Sequence, residues 1–415
     1  MTMRPQQQSC FMTILMLFGL VQIGIARDLR NVTEPKTPQT CTYLKATGGD
    51  DTAVIQKALD SCAKGKAVAL ASGTFFSGPI NIPSGVSLLV DEGVTLKAIP
   101  NPKLFDAGLK TCGTIDNSGF GCKALITMVG AKGSGIYGKG IIDGQGGENM
   151  TGTNTTWWRL TILASRQGKF QNNPRLIQIN DSTDITVYQI TLTSSPFYHL
   201  TSSKTNGFTV WGIFINSSHA NRNTDGIDPT GSQNVTIAHC NISTVDDNIA
   251  ISALIAPARH ISIYNNFLNH GNGLAIGSWT VFGVSDVTFS NLTLNSLTYG
   301  IYIKSDTKNG GLVSNITYDN ICIYRTRYPI TLDMFYYNHT GNRTPSFKNI
   351  FLKNVRIGTT GSYILHGISD SDPIQVNMTD VHVAKGSTWS VSHAKIEGVY
   401  KDDNAGRHCR QNGNI

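Results

Sequence analysis

The segments ITVYQITL (185–192), FTVWGIFI (208–215) and VTIAHCNI (235–242) decide the fold, because they share one design. Each is a short strand rich in β-branched residues, then a polar turn that often holds Asn, then a second short strand. The same design returns in ISIYNNFL (261–268), VTFSNLTL (287–294), ITYDNICI (316–323), IFLKNVRI (350–357) and VNMTDVHV (376–383). Successive segments begin 23 to 34 residues apart. The chain is therefore built from an internal repeat, with one coil of a solenoid in each repeat.

A repeat of this length cannot bury its apolar face alone, so it must stack on its neighbours. The apolar residues alternate with period two and show no helical stripe, which indicates strands. Short strands that stack from coil to coil, roughly 4.8 Å apart, form a parallel β-helix. We therefore predict an all-β solenoid that forms a single domain over 27–415.

The two ends of such a solenoid need covers, because an open sheet edge pairs with other chains. Asp50 and Asp51 precede an amphipathic run from Ala53 to Cys62, which predicts an N-terminal helix that caps the first coil. After Val383 the repeat is not visible. Residues 384–415 are therefore predicted to form an irregular C-terminal cover.

Composition and the N-terminus narrow the class of protein. With 40% hydrophobic and 15% charged residues, the chain is neither disordered, nor a coiled coil, nor a polytopic membrane protein. Residues 1–26 have a basic start, an apolar run and small residues at the end, which predicts a cleaved secretory signal peptide and an extracellular protein with no membrane association afterwards. The net charge of +7 suits an acidic substrate or serves solubility.

The cysteine pattern agrees with export. Cys41 with Cys62 and Cys112 with Cys122 are the plausible disulfide pairs of a secreted chain. Cys240 and Cys322 lie inside apolar segments, where simple burial explains them. Tightly spaced cysteines are absent, so zinc is not indicated. Several Asn-X-Ser/Thr sequons offer glycosylation sites, although turn chemistry in the repeats generates the same pattern.

Three places break the strand-and-turn composition: NTDGIDP (223–229), TVDDNIAI (244–251), and GLAIGS (273–278) with YIKS (302–305). Asp225 precedes Asp246 by 21 residues, and Asp246 precedes Asn272 by 26. Lys304 follows Asn272 by 32 residues. Because these spacings are close to one coil, we expect these side chains, with Asp247, to meet on one lateral face.

Three gathered carboxylates repel one another, which raises at least one pKa and leaves a protonated acid beside ionised bases. Glycoside hydrolysis needs such a set, with acid and base roughly 6.5–9.5 Å apart in an inverting enzyme. Lys304 would supply a positive charge for a uronate carboxylate. An isolated pair of Asp residues more often caps a turn, and we expect this of Asp228. Recurrence at coil spacing favours a site for the others.

The chain resembles glycoside hydrolase family 28, the polygalacturonases and related pectinases, over about 42–383. NTDGID carries the resemblance, and it is supported by DDTAVIQKALDSC, SGTFFSGPINIPSGV, IDGQG, SSPFYHL and GGLVSNITYDNI. The resemblance implies a right-handed parallel β-helix that hydrolyses α-1,4-galacturonide links with inversion, without metal or cofactor. It also implies that Asp246 is the general acid, and that Asp225 and Asp247 hold the attacking water.

The chain departs from the family pattern at three positions. Asn272 stands where the family usually has the histidine of GHG, and Tyr302 replaces the arginine of RIK that would grip a substrate carboxylate. Val245 replaces a glycine before the acid pair. Asn272 can hydrogen-bond to an acid but cannot share a titrating proton, so its cost is expected mainly in rate. Tyr302 can stack on a sugar ring or simply pack.

Two further residues complete the predicted substrate-binding set. Asn223 opens the NTDGID motif, and His270 belongs to NHG (269–271), which superficially resembles the family's GHG. Two residues along a strand span about 6.6 Å, so His270 replaces the lost histidine only if a local bulge brings it closer. Without a bulge, it is a surface loop residue.

These features predict a secreted, monomeric hydrolase of polygalacturonate, or of rhamnogalacturonan or xylogalacturonan, with no nucleic-acid partner. An alternative is a catalytically weakened or inactive homologue that binds pectin or a pectinase inhibitor, but retention of all three Asp residues favours the enzyme. A pectate lyase would share the fold and need calcium and an arginine base; NTDGID argues against it. The stretch 151–171, with two Trp residues, is either a wall of the substrate cleft or a packed loop.

Overall fold

The computed structural model describes residues 27–217, 222–403 and 409. The predicted signal peptide, 1–26, lies outside the described residues. Nearly all secondary structure in the described part is β-strand, arranged in two long parallel sheets and one small antiparallel pair. None of the helices in this part is both long and apolar enough to cross a membrane.

The larger parallel sheet has twenty strands. They are Gln39–Lys45, Lys66–Ser72, Thr74–Ser77, Val86–Val90, Thr95–Ala98, Gly135–Tyr137, Ile141–Asp143, Thr183–Tyr188, Thr191–Thr193, Asn206–Trp211, Phe214–Asn216, Gln233–Ala238, Asn241–Ser243, Ala258–Tyr264, Phe267–Asn269, Val284–Asn295, Leu312–Tyr324, Ser346–Ile357, Ile374–Val383 and Ala394–Asp402.

The second parallel sheet has eleven strands and carries the site described below. They are Ile80–Asn81, Ile126–Val129, Ile177–Asn180, Leu200–Ser203, Ile227–Thr230, Ile249–Ile251, Leu274–Ile276, Tyr299–Lys304, Tyr328–Asp333, Ser362–His366 and Thr388–Ser392. The antiparallel pair is Ile115–Asp116 with Phe170–Gln171. The helices are Thr52–Ser61, Pro102–Phe105 and Trp157–Arg166, with a 3₁₀ turn at Tyr336–Asn338.

The repeat read from the sequence stacks in register. Ile185 pairs with Phe208, Phe208 with Val235, and Val235 with Ile261. The first residues of the remaining repeats continue this column without a break, at 287, 316, 350 and 376. All are buried in one continuous apolar core. The predicted parallel β-helix is confirmed, and each of these eight repeats contributes one residue to this column.

Several Asn residues of the repeats lie within strands at positions where the backbone is locally left-handed. Asn234, Asn291 and Asn315 have φ near +55°, the left-handed conformation that Asn tolerates better than most residues. The Asn315 amide donates to Asp286 of the coil before, and the Asn349 amide donates to Asn315. The left-handed backbone conformation therefore accounts for these Asn positions, and glycosylation at them stays a prediction.

The predicted N-terminal helix is present as Thr52–Ser61 and buries Ile55 and Leu59 against the first coils. Asp51 does not cap the helix through its side chain; its carboxylate accepts hydrogen bonds from Thr47 and from the Phe76 amide. A strand, Gln39–Lys45, precedes the helix and pairs with the next coil. The role of the helix as a cap stays a prediction.

The C-terminal segment differs from expectation. Thr388–Ser392 and Ala394–Asp402 pair in parallel with the preceding coil, so the prediction of an irregular cover is wrong over these residues. Most of their side chains are exposed, since no later strand of the described residues stacks on them, and the apolar alternation is correspondingly weak.

The disulfides Cys41–Cys62 and Cys112–Cys122 are confirmed. Cys240 is a buried free thiol, as expected. Cys322 is not a free thiol, because it forms a disulfide bond with Cys409.

Candidate active site

The eleven-stranded sheet arranges the site in rows that follow from strand register. Leu200, Ile227, Ile249, Leu274 and Ile301 are aligned from coil to coil and buried. The residues two positions before the aligned set form what we call the first row, which reads in chain order Tyr198, Asp225, Asp247, Asn272 and Tyr299. The residues one position after it form the second row, which reads Thr201, Asp228, Ala250, Ala275 and Tyr302.

The three predicted acids come together. Asp225, Asp246 and Asp247 each offer a carboxylate oxygen, and these oxygens all lie within 4.8 Å of one another. Asp225 and Asp247 are neighbours in the first row and are 8% and 4% exposed, whereas Asp246 is only partly buried. The most accessible of the three carboxyl groups is therefore that of Asp246.

Donors from three directions fix the Asp246 carboxylate. The backbone amide of Asn223 donates to Oδ2 at 2.9 Å. The Asn272 side chain donates to Oδ1 at 3.0 Å, and the backbone amide of Asp247 donates to the same oxygen at 3.1 Å. Asn223 and Asn272, both predicted to bind substrate, thus contact the acid directly.

Asn223 reaches Asp246 because its loop turns sharply and is braced. Its φ is +60°, and Gln171 donates through Nε2 to its side-chain oxygen at 3.3 Å. Gln171 ends the stretch predicted as a wall or a packed loop. In that stretch Trp157 is buried, and the Trp158 indole donates to the Ser195 carbonyl at 2.9 Å, so the two Trp residues serve packing.

Lys304 completes the charge balance. Its Nζ donates to Oδ2 of Asp247 at 2.8 Å, with both side chains almost fully buried. The ammonium also lies 4.6 Å from the ring centroid of Tyr302 and 5.1 Å from that of Tyr336, where cation–π attraction adds to the ion pair. Lys304 is therefore held by protein groups on several sides.

The acids have perturbed proton affinities. Burial raises the pKa of Asp247 to about 6; the Lys304 ammonium opposes this rise and the Asp246 charge adds to it. Burial, followed by the neighbouring carboxylates, raises the pKa of Asp225 well above its usual range. Burial by itself would lower the pKa of Lys304, but the groups around the ammonium, of which the Asp247 carboxylate has the largest effect, together outweigh burial and raise the pKa well above its usual value. The site can therefore hold protons on some carboxyls near neutral pH.

His270 and Tyr302 occupy less direct positions. The His270 backbone amide donates to the Asn295 carbonyl, and its own carbonyl accepts from Asn248, which places His270 in the turn before Asn272. Asn272, and not His270, is the residue described in contact with Asp246. The Tyr302 ring is 5% exposed and stacks on Tyr299 at 4.1 Å, so it packs beside the acids.

The prediction that Asp228 caps a turn is wrong. Asp228 lies inside the strand Ile227–Thr230 and is buried in the second row. Burial, and then the charges of Asp247 and Asp246, raise its pKa well above the usual range. Strand alternation alone puts residues three positions apart on opposite faces, so the place of Asp228 beside the acids could not be predicted before the turn was placed.

Sequence reasoning also missed a group on the N-terminal side of the acids. The His199 Nδ1–H donates to the Asp225 carbonyl at 2.9 Å, and burial lowers the pKa of His199 to about 4, which keeps the ring neutral. The Arg175 guanidinium lies 5.4 Å from the ring centroids of both Phe197 and Tyr198. All belong to the coils before NTDGID. Phe197, Tyr198 and His199 lie in the SSPFYHL motif (194–200), whereas Arg175 could be found only from strand register.

Three carboxylate oxygens in this arrangement are also the ligands that hard cations prefer. Lys304 already supplies a positive charge to Asp247, and Asn272 and two backbone amides occupy the oxygens of Asp246. The oxygens of the trio that face no donor in the described chain are fewer than a cation of six or more ligands requires. The arrangement suits acid–base chemistry better.

Known proteins share the sequence and the fold of this chain. Residues 62–403 match the model of glycosyl hydrolases family 28. An endo-polygalacturonase of Pectobacterium parmentieri is 44% identical over 387 residues, which cover 92% of this chain and 96% of the relative. The solved polygalacturonase of Erwinia carotovora superposes with a TM-score of 0.88 at 43% identity, covering 89% of this chain and all of that one.

A more distant solved structure shares the fold. The endo-xylogalacturonan hydrolase of Aspergillus tubingensis is 16% identical, with a TM-score of 0.58 over 86% of this chain and 92% of that one. The match to the family model begins and ends later than the span of 42–383 predicted from motifs, and its end falls beside the last strand, Ala394–Asp402.

Proposed function

Because the chain belongs to glycosyl hydrolase family 28, we propose that it is a secreted hydrolase that cleaves the α-1,4-galacturonide links of polygalacturonate or a related pectin, with inversion. The observation that carries the proposal is the set of three carboxylates within 4.8 Å of one another beside a buried lysine. We propose cleavage within the polymer, because two relatives that match 92% of the chain are named endo-polygalacturonases.

Asp246 is the general acid. It is the most exposed of the three carboxyls, so it can reach the oxygen of the leaving sugar. Once it has given up its proton, the N–H groups of Asn223, Asn272 and Asp247 stabilise the carboxylate that forms. Hydrogen-bond donors that are already positioned where negative charge develops usually make the largest contribution to transition-state stabilisation.

Asp225 and Asp247 hold and activate the attacking water. Oδ1 of each is buried and accepts no hydrogen bond from the described chain. Buried acceptors need a partner, and one water between adjacent coils satisfies both. Burial raises the pKa of each carboxyl, which strengthens it as a base.

The spacing of the carboxyl groups bears on the stereochemistry of cleavage. Oxygens within 4.8 Å are closer than the roughly 6.5–9.5 Å typical of inverting enzymes and nearer to the about 5–5.5 Å of retaining ones. The short distance follows from the fold, because adjacent coils stack about 4.8 Å apart. We propose inversion of the anomeric configuration because the family resemblance implies it, and because Asp225 and Asp247 can hold a water jointly.

The test is release of reducing ends from polygalacturonate, rhamnogalacturonan and xylogalacturonan in the presence of a calcium chelator. Asp246→Asn should abolish release, whereas Asp319→Asn, an isosteric change on the twenty-stranded sheet, should leave it intact. NMR of the first products reports the anomer: the β anomer indicates inversion and the α anomer retention. No release by folded wild-type protein from any substrate would overturn the hydrolase proposal.

Secretion and monomeric state belong to the same proposal. Export is supported by the apolar N-terminal run and by three disulfides, which persist in oxidising compartments. N-terminal sequencing of exported protein should find a chain that begins near residue 27, and light scattering should give the mass of one chain. A protein retained in the cell with an intact N-terminus would contradict the prediction.

A further inference from the structure

The first row continues on the N-terminal side of the acids. The strands of the two preceding coils pair in register with each other and with the strand that follows Asp225. The residues two positions before their aligned residues are Tyr198 and, one coil further, Arg175. Because neighbouring coils stack about 4.8 Å apart, the backbone of Arg175 lies about 10 Å from that of Asp225. A polymer that runs along the row from the acids therefore reaches Arg175 within a few sugar residues.

The side chains around Arg175 form an open, polar surface. Arg175 and Tyr198 are both partly exposed. Gln178 and Thr201 occupy the second row of the same two coils, next to Asp228, and they are partly exposed as well. We call Arg175, Tyr198, Gln178 and Thr201 the polar face. Its amide and hydroxyl groups can both donate to and accept from the hydroxyl groups of a sugar.

The guanidinium of Arg175 contacts aromatic rings and is not paired with an oxygen acceptor. It lies 5.4 Å from the ring centroids of both Phe197 and Tyr198, and these rings hold it in place. Within the described part of the chain its side chain makes no hydrogen bond and no ion pair, although the charge of Asp228 acts on it from further away. A guanidinium carries five N–H donors in a geometry that matches the two oxygens of a carboxylate.

Two other cations beside the acids are already engaged. Lys304 donates to Asp247 at 2.8 Å. Arg222 donates through Nη2 to the Lys169 carbonyl and to the side chain of Gln171. A polyanionic substrate is repelled by the gathered carboxylates, so its binding requires a cation that the protein does not use for its own carboxylates. Arg175 meets this requirement.

We propose that Arg175 binds the carboxylate of a galacturonate residue on the N-terminal side of the acids, while Gln178 and Thr201 contact the hydroxyl groups of that sugar. The inference rests on the proposed function and names the residue that selects free over methyl-esterified galacturonate. A methyl ester keeps the shape of the sugar but removes its charge and so leaves the guanidinium unpaired. Loss of a hydrogen bond to a charged group typically weakens binding by about ten- to a hundredfold.

The test measures the affinity for a galacturonate hexamer and for its fully methyl-esterified form by calorimetry, with Asp246→Asn in every protein to prevent hydrolysis. Arg175→Gln should weaken binding of the free hexamer by about tenfold or more and hardly change binding of the ester. Arg259→Gln, the same change at an exposed position of the twenty-stranded sheet, should change neither affinity. With Asp246 intact, Arg175→Gln should raise KM on polygalacturonate with little change in kcat.

An unchanged affinity for the free hexamer in folded Arg175→Gln protein, or an equal loss for the hexamer and its ester, would overturn the proposal. A fall in kcat at constant KM would also overturn it, because Arg175 would then act only through the charge on Asp228. If Arg175→Gln does not fold, Arg175→Lys decides: its ammonium cannot bind both carboxylate oxygens in the same way, so an unchanged affinity for the hexamer rejects the inference. If the wild type hydrolyses no substrate, the proposed function fails separately, and the affinities still test Arg175.

Discussion

Replacing Lys304 by Met tests the charge balance of the site in depth. The change leaves the buried Asp247 carboxylate without its ammonium, and breaking a buried pair typically costs about 3–5 kcal/mol of unfolding free energy. Even with Lys304 present, the rise of the Asp247 pKa from 3.8 to about 6 corresponds to about 3 kcal/mol. Without Lys304 the pKa of Asp247 rises further, because the ammonium opposes the effect of burial.

The sign of the pH dependence follows from this shift. A carboxyl whose folded pKa lies above its unfolded value keeps its full stability contribution below about pH 4 and loses it as the pH rises through the folded pKa. We therefore expect Lys304→Met to lose about 3–5 kcal/mol at pH 8 and less than half of that at pH 5, where Asp247 is protonated.

Urea denaturation at pH 5 and pH 8 measures both values. The double variant Lys304→Met/Asp247→Asn should lose much less than the single variant at pH 8, because it leaves no buried charge behind. Lys395→Met, which removes the cation of the exposed pair with Glu397, should show no measurable change at either pH. An equal loss by Lys304→Met at the two pH values would refute the reasoning.

Three further predictions follow from single contacts. Because Asp225 and Asp247 must be ionised to act as bases and burial raises both pKa values, the acidic limb of the kcat/KM profile should have its midpoint at about pH 6 or above; a midpoint near pH 4 would contradict this role. Asn272→His should raise kcat by about tenfold or more with little change in KM, because a titrating ring can share the Asp246 proton, and an unchanged kcat would show that Asn272 is fully adequate. Cys322→Ser should lower the unfolding free energy by about 4 kcal/mol, since the bond to Cys409 spans 87 residues, whereas Cys240→Ser should not change the effect of reductant on stability.

Much of this fold could be predicted because the repeat is visible as a recurring pattern of residue types along the sequence. β-branched residues alternate over eight segments, and each segment begins with an apolar residue that occupies one buried column. The acids could be predicted for a related reason. Asp225, Asp246 and Asn272 recur at nearly one coil, so their meeting on one face needed only the repeat length and no detail of the turns.

The rest depended on strand register, which coil lengths of 23 to 34 residues conceal. Asp228 and Arg175 enter the neighbourhood of the acids only once each turn has been placed. The strands of the last coil could not be predicted, because their side chains are mostly exposed and lack the apolar alternation of the other coils. The Cys322–Cys409 disulfide could not be predicted for the same reason, since it joins an earlier coil to the C-terminal segment, whose repeat is not visible in the sequence.

The stacking of coils explains how the chain tolerates so much negative charge in one place. Asp225 and Asp247 would separate if they were free to move, but Ile227 and Ile249 fix the register two residues later and are fully buried. Burying one such side chain contributes about 1.5–3 kcal/mol, and every coil adds more. The carboxylates are therefore held close by the core, and their pKa values are raised first by burial and then by the charges of their neighbours. It follows that neutralising Asp225 by Asn should stabilise the fold at pH 8 while abolishing activity, which is the expected sign of a site assembled against its own electrostatics.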